Sequence, residues 1–267
     1  MAEIIIKPLL YGVDFDSQTR ELTFKRKDGA EIYSCTIPES GLVDDVTKPL
    51  MFKAVSDNSS VTLNRLSNYN GTYSYSLNNL DWGDYTYGTT INLRNGECVF
   101  FKVNSFGNKD ANRLCQFSMT GTIEAWHNTN SMMVSENFES LTDLSSVGNY
   151  ALLRLFQDCA SLVKAPLLPA TVLTESCYSG LFDMCVNLVH GPTLPATTLA
   201  KVCYSKMFNG ASSLNTVTCY ATDISAMLCT RLWLNGVSAT GDFYTPQSTN
   251  WTTGADGLPA NWSRIDI

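Results

Sequence analysis

Three stretches of this chain are copies of one pattern. Leu155-Phe156-Gln157-Asp158-Cys159-Ala160-Ser161-Leu162 returns as Leu181-Phe182-Asp183-Met184-Cys185-Val186-Asn187-Leu188, and again as Met207-Phe208-Asn209-Gly210-Ala211-Ser212-Ser213-Leu214, each time 26 residues on. A second block keeps the step: Ala165-Pro166-Leu167-Leu168-Pro169-Ala170-Thr171-Val172-Leu173 becomes Gly191-Pro192-Thr193-Leu194-Pro195-Ala196-Thr197-Thr198-Leu199. A period in this range marks a solenoid, in which no unit buries its apolar face alone and stacked neighbours share one core. The spacing predicts internal ladders of Phe156, Phe182 and Phe208 and of Leu162, Leu188 and Leu214. Within a unit, Pro166 and Pro169 exclude a helix and favour an extended edge segment. Residues 174–182 read as a short helical turn that points Cys177, Leu181 and Phe182 inward.

Cysteine placement follows the same step. Five of the nine cysteines, Cys159 with Cys185 and Cys177 with Cys203 and Cys229, fall in repeat register. The expectation is a column of small buried hydrophobes, with disulfides between stacked cysteines as the other reading, although the odd total leaves at least one unpaired. No Cys-x-x-Cys pair gives the usual zinc spacing, so no metal or cofactor is expected.

Upstream, residues 49–125 carry strand-like runs at 50–54, 60–63, 72–77, 90–93, 98–103 and 115–119. Asn70-Gly71, Trp82-Gly83-Asp84 and Asn95-Gly96 punctuate them as turns, which predicts a β-sandwich. Tyr73, Tyr75, Trp82, Tyr85 and Tyr87 crowd one segment. Such aromatics either stack on sugar rings or fill the sandwich core. Residues 1–48 read as a small β unit with a hairpin at Asp28-Gly29. The fold expected is mainly β: an N-terminal β anchor (1–48), a β-sandwich (49–125), a solenoid (126–240) and a C-terminal cap (241–267). Met132, Met133, Phe138 and Leu141 are expected to cover the first repeat, and Trp233 to close the stack at the other end.

Net charge is −7, which argues against sequence-independent nucleic-acid binding, since that needs a basic patch. Met1 through Lys7 lacks the pattern of a secretory signal, and no apolar run reaches the ~18 residues of a membrane span. The two histidines, His127 and His190, sit in no catalytic motif. Carboxylate pairs for glycoside cleavage need not be adjacent in sequence, but no enzyme activity is expected. Residues whose chemistry changes from unit to unit, Lys164, Glu175, His190 and Lys201, are expected to face solvent. With Trp82 and Tyr85 they form the set of candidate partner-binding residues, for which plain solvated surface is the other reading.

The run Cys203-Tyr204-Ser205-Lys206-Met207-Phe208-Asn209-Gly210-Ala211-Ser212-Ser213-Leu214, with Leu194-Pro195-Ala196-Thr197-Thr198-Leu199, resembles the BspA-like leucine-rich repeat family in the form found in gut Bacteroidales and their phages. It departs at Ala211, where the family pattern has Cys. Gly241 through Trp262 resembles the tail that comes after such arrays, and Phe117-Ser118-Met119-Thr120-Gly121-Thr122-Ile123 the module before them. Phe15 through Gly29 resembles the hairpin that opens phage tail and fibre proteins. The resemblance implies a virion protein: a tail or head fibre or decoration protein. Residues 1–48 would hold it to other virion proteins, as a homotrimer if it assembles as fibre proteins often do, and it would contact a host-surface glycan or protein. A bacterial surface or secreted adhesin built from the same modules is the alternative.

Overall fold

The computed structural model describes residues 12–16, 21–25, 31–36, 48–66, 71–105, 115–132 and 146–267. Two compact units divide the chain at residues 43 and 44. In the first, β1 (Gly12–Asp16), β2 (Glu21–Lys25) and β3 (Glu31–Thr36) form an antiparallel sheet in chain order. Pairing runs from Asp16 opposite Glu21 and from Glu21 opposite Thr36, with a register shift at Phe24/Lys25. The Asp28-Gly29 turn lies outside the described residues.

The second unit opens with β4 (Leu50–Ala54), β5 (Ser59–Arg65), β6 (Thr72–Ser76), β7 (Gly83–Tyr85), β8 (Thr90–Leu93), β9 (Cys98–Ser105), β10 (Cys115–Thr120) and β11 (Ile123–Trp126). The strand-like runs all form strands. Gly83 and Asp84, expected in a turn, instead begin β7 opposite β6. One sheet has the order β10-β5-β8; a second runs β12-β11-β4-β9-β6-β7, where β12 (Leu162–Lys164) is the first repeat's strand. Phe52 and Phe101 of the second sheet meet Phe117 of the first at 4.7 and 5.2 Å between ring centroids. Such edge-on contacts add to the hydrophobic gain of burying the rings.

Residues 146–267 form a β-solenoid of about three turns. On one side β13 (His190–Leu194), β14 (Thr216–Cys219), β15 (Gly241–Thr245) and β16 (Trp262–Asp266) pair in parallel, in chain order. β13 lies at the edge of that sheet, where Pro192, which has no N–H to give, is tolerated at a register shift. The predicted ladders are present. Phe156, Phe182 and Phe208 are fully buried and stack at 5.4 and 5.6 Å with ring planes within 8°. Leu162, Leu188 and Leu214 are equally buried.

The opposite side of each coil departs from expectation. Residues 174–182 are not a helical turn but a run of β-turns. Every fourth residue has a positive φ: Tyr150, Arg154 and Asp158, then Ser176, Gly180 and Met184, then Val202, Lys206 and Gly210, then Leu228, Leu232 and Gly236. Each is the third residue of a four-residue turn, as type II turns require; Leu181 N–H donating to Tyr178 C=O at 3.1 Å is one. A positive φ breaks the i to i−4 ladder of a helix. It also turns every second N–H sideways, so Tyr178, Gly180 and Phe182 donate to the carbonyls of Cys203, Ser205 and Met207 in the following coil. Nine of these twelve residues carry a Cβ, at about 1–2 kcal/mol each. The coil-to-coil bonds and the apolar side chains held inward, Cys177, Leu181 and Phe182 among them, offset that cost.

The expected covering of the first repeat is also different. Met133, Phe138 and Leu141 lie outside the described residues, and Met132 is buried beneath Tyr73, whose hydroxyl donates to its carbonyl at 3.3 Å. β10 and β11, which belong to different sheets, together take the place of a preceding coil. Phe117 stacks on Phe156 at 5.7 Å, Phe117 N–H donates to Leu155 C=O, and β11 pairs in parallel with β12. At the far end Trp233 is fully buried rather than terminal. It continues the column Tyr178–Tyr204, and Trp251 stacks on it at 5.1 Å. Residues 241–267 thus add two strands to the stack before ending it. Arg264 closes the last layer, in register with the buried Phe243 and donating to the carbonyls of Pro246, Gln247 and Thr249. A charged side chain at that position guards an edge strand against pairing with another chain.

Candidate functional site

The outward residues of the repeats fall into columns, because residues 26 apart stand one coil above another. Glu175 and Lys201 share a column and pair at 2.8 Å. The Lys201 ammonium, hydrogen-bonded to it, holds the Glu175 carboxyl below its ordinary range, and Glu175 raises Lys201 in return. Both are solvated, so this pair contributes little to stability. Lys164, His190, Thr216 and Asp242 form a second column on the strand side. His190 is exposed, as expected. Lys164 is half-buried: its Nζ lies 3.7 Å from the centre of the Trp126 ring and donates to Ala125 C=O at 3.3 Å. His127 is buried at the junction of β11 with the solenoid, and its carbonyl accepts from Leu167 N–H.

The aromatic segment separates into core and surface. Tyr85 is buried, and its hydroxyl accepts from Leu63 N–H at 2.9 Å and donates to Thr89 C=O. Burial raises its phenol above the usual range. Its ring packs edge-on to Phe101 at 5.3 Å and to Tyr75 at 6.0 Å. Tyr85 therefore serves the core, and its place among the surface candidates is corrected. Alternation along β7 turns its side chain inward, whereas Trp82 precedes the strand and stays partly exposed. The Lys102 ammonium lies 4.0 Å from the centre of the Trp82 ring.

Sequence reasoning missed the residues just before Trp82. Asn78 organises the loop from Leu77 to Asp81: its Oδ1 accepts from Leu80 N–H, Asp81 N–H and the Ser76 hydroxyl, and its Nδ2 donates to Asp81 at 2.8 Å. That scaffold holds Leu77 and Leu80 outward at 61% and 81% exposure. A shallow depression of about 280 Å³ lies beside them, lined by Tyr75, Asn78, Asp81 and Gly83 among others. The signal is legible in Asn78-Asn79, a pair suited to an Asx turn and a positive φ; Asn79 has φ 61°.

One column, buried only at Asp183 and exposed at Asn235, is polar throughout. Gln157, Asp183, Asn209 and Asn235, each 26 residues apart, bond in sequence: Gln157 Nε2 and Asn209 Nδ2 both donate to Asp183, and Asn235 Nδ2 donates to Asn209 Oδ1. The carboxylate sits where it accepts from both sides. Other repeat positions are thiols. Cys159 Sγ donates to Phe117 C=O and Cys185 Sγ to Phe156 C=O, each to the preceding layer. Burial pushes the thiols of Cys115, Cys159, Cys177 and Cys219 up to about 12. Since the thiolate is the nucleophile, they are inert. Among the described residues, no three His, Cys, Asp or Glu side chains converge as metal ligands. Native protein treated with iodoacetamide at pH 8 should therefore be alkylated at Cys98, the partly exposed thiol, and at none of the seven cysteines buried in the second unit. Peptide mass spectrometry reads this directly; rapid labelling of Cys177 or Cys203 without denaturant would contradict the buried column.

No helix among the described residues is long and apolar enough to cross a membrane. The chain matches no family model, no curated protein and no solved structure.

Proposed function

We propose that this chain is a non-enzymatic recognition protein, a phage tail or head fibre or decoration protein that attaches to a host surface. In this reading the repeats are BspA-like leucine-rich repeats, the two sheets of residues 49–125 are a β-sandwich, and residues 1–48 anchor the chain to other virion proteins. The observation that carries it is the contrast between the two sides of the stack. Inward positions repeat, while the outward column Lys164, His190, Thr216 and Asp242 changes chemistry at every step on a fixed spacing. A rigid scaffold displaying non-repeating side chains suits binding. The ordered loop carrying Leu77, Leu80 and Trp82 adds a preorganised contact, and preorganised residues lose little freedom on binding. The resemblance of Phe15 through Gly29 to fibre-protein hairpins favours the virion over a bacterial adhesin.

Immunogold electron microscopy on purified phage and on uninfected host cells tests this. Label on the particles is the expected result; label on uninfected cells with bare particles would make the protein an adhesin. In a cell-binding assay, replacing Leu80 and Trp82 together by alanine should weaken attachment at least about tenfold, the loss of one modest hot spot. Equal binding by a folded double variant would remove that loop from the contact.

A further inference from the structure

We infer that Asn235 is a site of spontaneous modification, where the folded protein exchanges a side-chain amide for aspartate or isoaspartate. The chemistry belongs to Asn-Gly pairs. The glycine nitrogen, as its proton leaves, attacks the asparagine Cγ and expels ammonia, closing a succinimide ring. Water then opens the ring at either carbonyl, so the sum is amide plus water giving carboxylate plus ammonium. Glycine admits this because no side chain crowds its nitrogen. Asparagine is among the thermolabile residues for that reason.

Three such pairs lie wholly within the described residues: Asn95-Gly96, Asn209-Gly210 and Asn235-Gly236, with glycine φ of 86°, 72° and 72°. They differ in how the reacting nitrogen is held. Gly96 N–H donates to Ala54 C=O at 2.8 Å, and Glu97 N–H closes its turn on Arg94 C=O. Gly210 N–H donates to Asn235 C=O at 2.7 Å, and Ala211 N–H closes its turn on Phe208 C=O. Gly236 stands in the last coil of the turn side, so no further coil accepts from its N–H. Among the described residues no bond closes the turn from Leu234 to Val237 either. Asn235 and Gly236 are both exposed, whereas Asn209 and Gly210 are half-buried. Solvent base therefore reaches the Gly236 nitrogen, and the peptide can turn toward Cγ without breaking a backbone bond. Water bound there assists the reaction, because water carries the proton away. The product changes the stack as well. Asn235 Nδ2 donates to Asn209 Oδ1 at 2.8 Å, the last link of the polar column. A carboxylate has no proton to donate, so that link is lost and a negative charge joins a chain already at −7.

The test holds the full native chain in warm buffer at pH 8, digests it in acid and reads the peptides by mass spectrometry. Asn235 should convert at least about tenfold faster than Asn95 or Asn209, the ratio set by one backbone hydrogen bond that those two must first break. In urea the three rates should converge, because the bonds that hold Asn95 and Asn209 are gone. Gly236→Ala should slow Asn235 and keep the fold. Its Cβ would meet Gly210 at an ordinary 3.5 Å, and Asp158 and Met184 hold the same register with φ of 63° and 62°. Equal rates at the three sites in the folded protein, or a faster Asn95 or Asn209, would overturn the inference. So would the same ranking in urea, or an unchanged rate in Gly236→Ala.

Discussion

Replacing Phe182 by alanine should lower stability by about 3–5 kcal/mol, the range for emptying a buried aromatic site. The Phe182 ring is wholly buried and lies between Phe156 and Phe208, nearly parallel to both. Its neighbours cannot close the gap, because each is held by its own coil-to-coil bonds: Phe156 N–H to Leu181 C=O and Phe208 N–H to Trp233 C=O. The loss is a large part of the ~5–15 kcal/mol that holds a domain folded. In a solenoid each coil contacts its neighbours alone, so the damage should also uncouple the distal coils from the proximal ones. Trp233, Trp251 and Trp262 lie beyond the break, and Trp82 and Trp126 before it. Urea titration monitored by tryptophan fluorescence should show an earlier transition for the distal coils. A midpoint close to that of the parent protein would mean that the aromatic column does not hold the stack together.

Gly241→Ala should cost about 1–3 kcal/mol, the usual range for overpacking, and more if β15 is displaced from β14. A Cβ at Gly241 would lie 2.5 Å from the Asn215 carbonyl oxygen and 2.7 Å from Cε2 of Trp262. Neither neighbour is free to retreat. Asn215 C=O accepts from Asp242 N–H at 2.8 Å, and Trp262 Nε1 donates to Ser238 C=O at the same distance. Gly83→Ala provides the control, since its Cβ would meet only Tyr75 Cε1 at 3.8 Å, an ordinary contact. Thermal melts should separate the two variants by several degrees. Equal melting temperatures would show that the strand spacing at β15 is looser than the contacts imply.

Periodicity makes the inward half of this fold legible. A step of 26 fixes which side chains stack, so the phenylalanine, leucine and cysteine columns can be named from the residues alone. The backbone that carries them cannot. Thr174 through Phe182 has helical spacing of its apolar residues, but a positive φ falls on Ser176, a residue without marked preference for it, as well as on Gly180. Here tertiary context overrides local propensity, since the N–H groups gain acceptors in the next coil. The candidate contacts divide for a similar reason. Trp82 and Tyr85 are three residues apart, and only the pairing of β7 with β6 decides that Tyr85 turns into the core. Glu175 and Lys201 each read as exposed in the sequence. The same step of 26 that singles them out also places them side by side, where they neutralise each other.

The turn side of the solenoid is directional. In an ordinary strand pair, donors and acceptors alternate along each edge. Here the coil-to-coil backbone bonds of residues 150–158, 176–184 and 202–210 all run one way, from an N–H in one coil to a carbonyl in the next, as from Ser176, Tyr178, Gly180, Phe182 and Met184. The peptide dipoles of this side therefore add along the axis, as they do in a helix, with the positive pole at the C-terminal coil. The groups at the two poles fit that polarity. The Asp256 carboxylate accepts from Leu232 N–H at the positive pole, and Phe117 N–H and the Gln116 amide donate to Leu155 and Gln157 carbonyls at the other. Two such solenoids meeting C-terminus to C-terminus would bring donors against donors, so this rim cannot zip to a copy of itself. Any chain that extends it must arrive carbonyl-first.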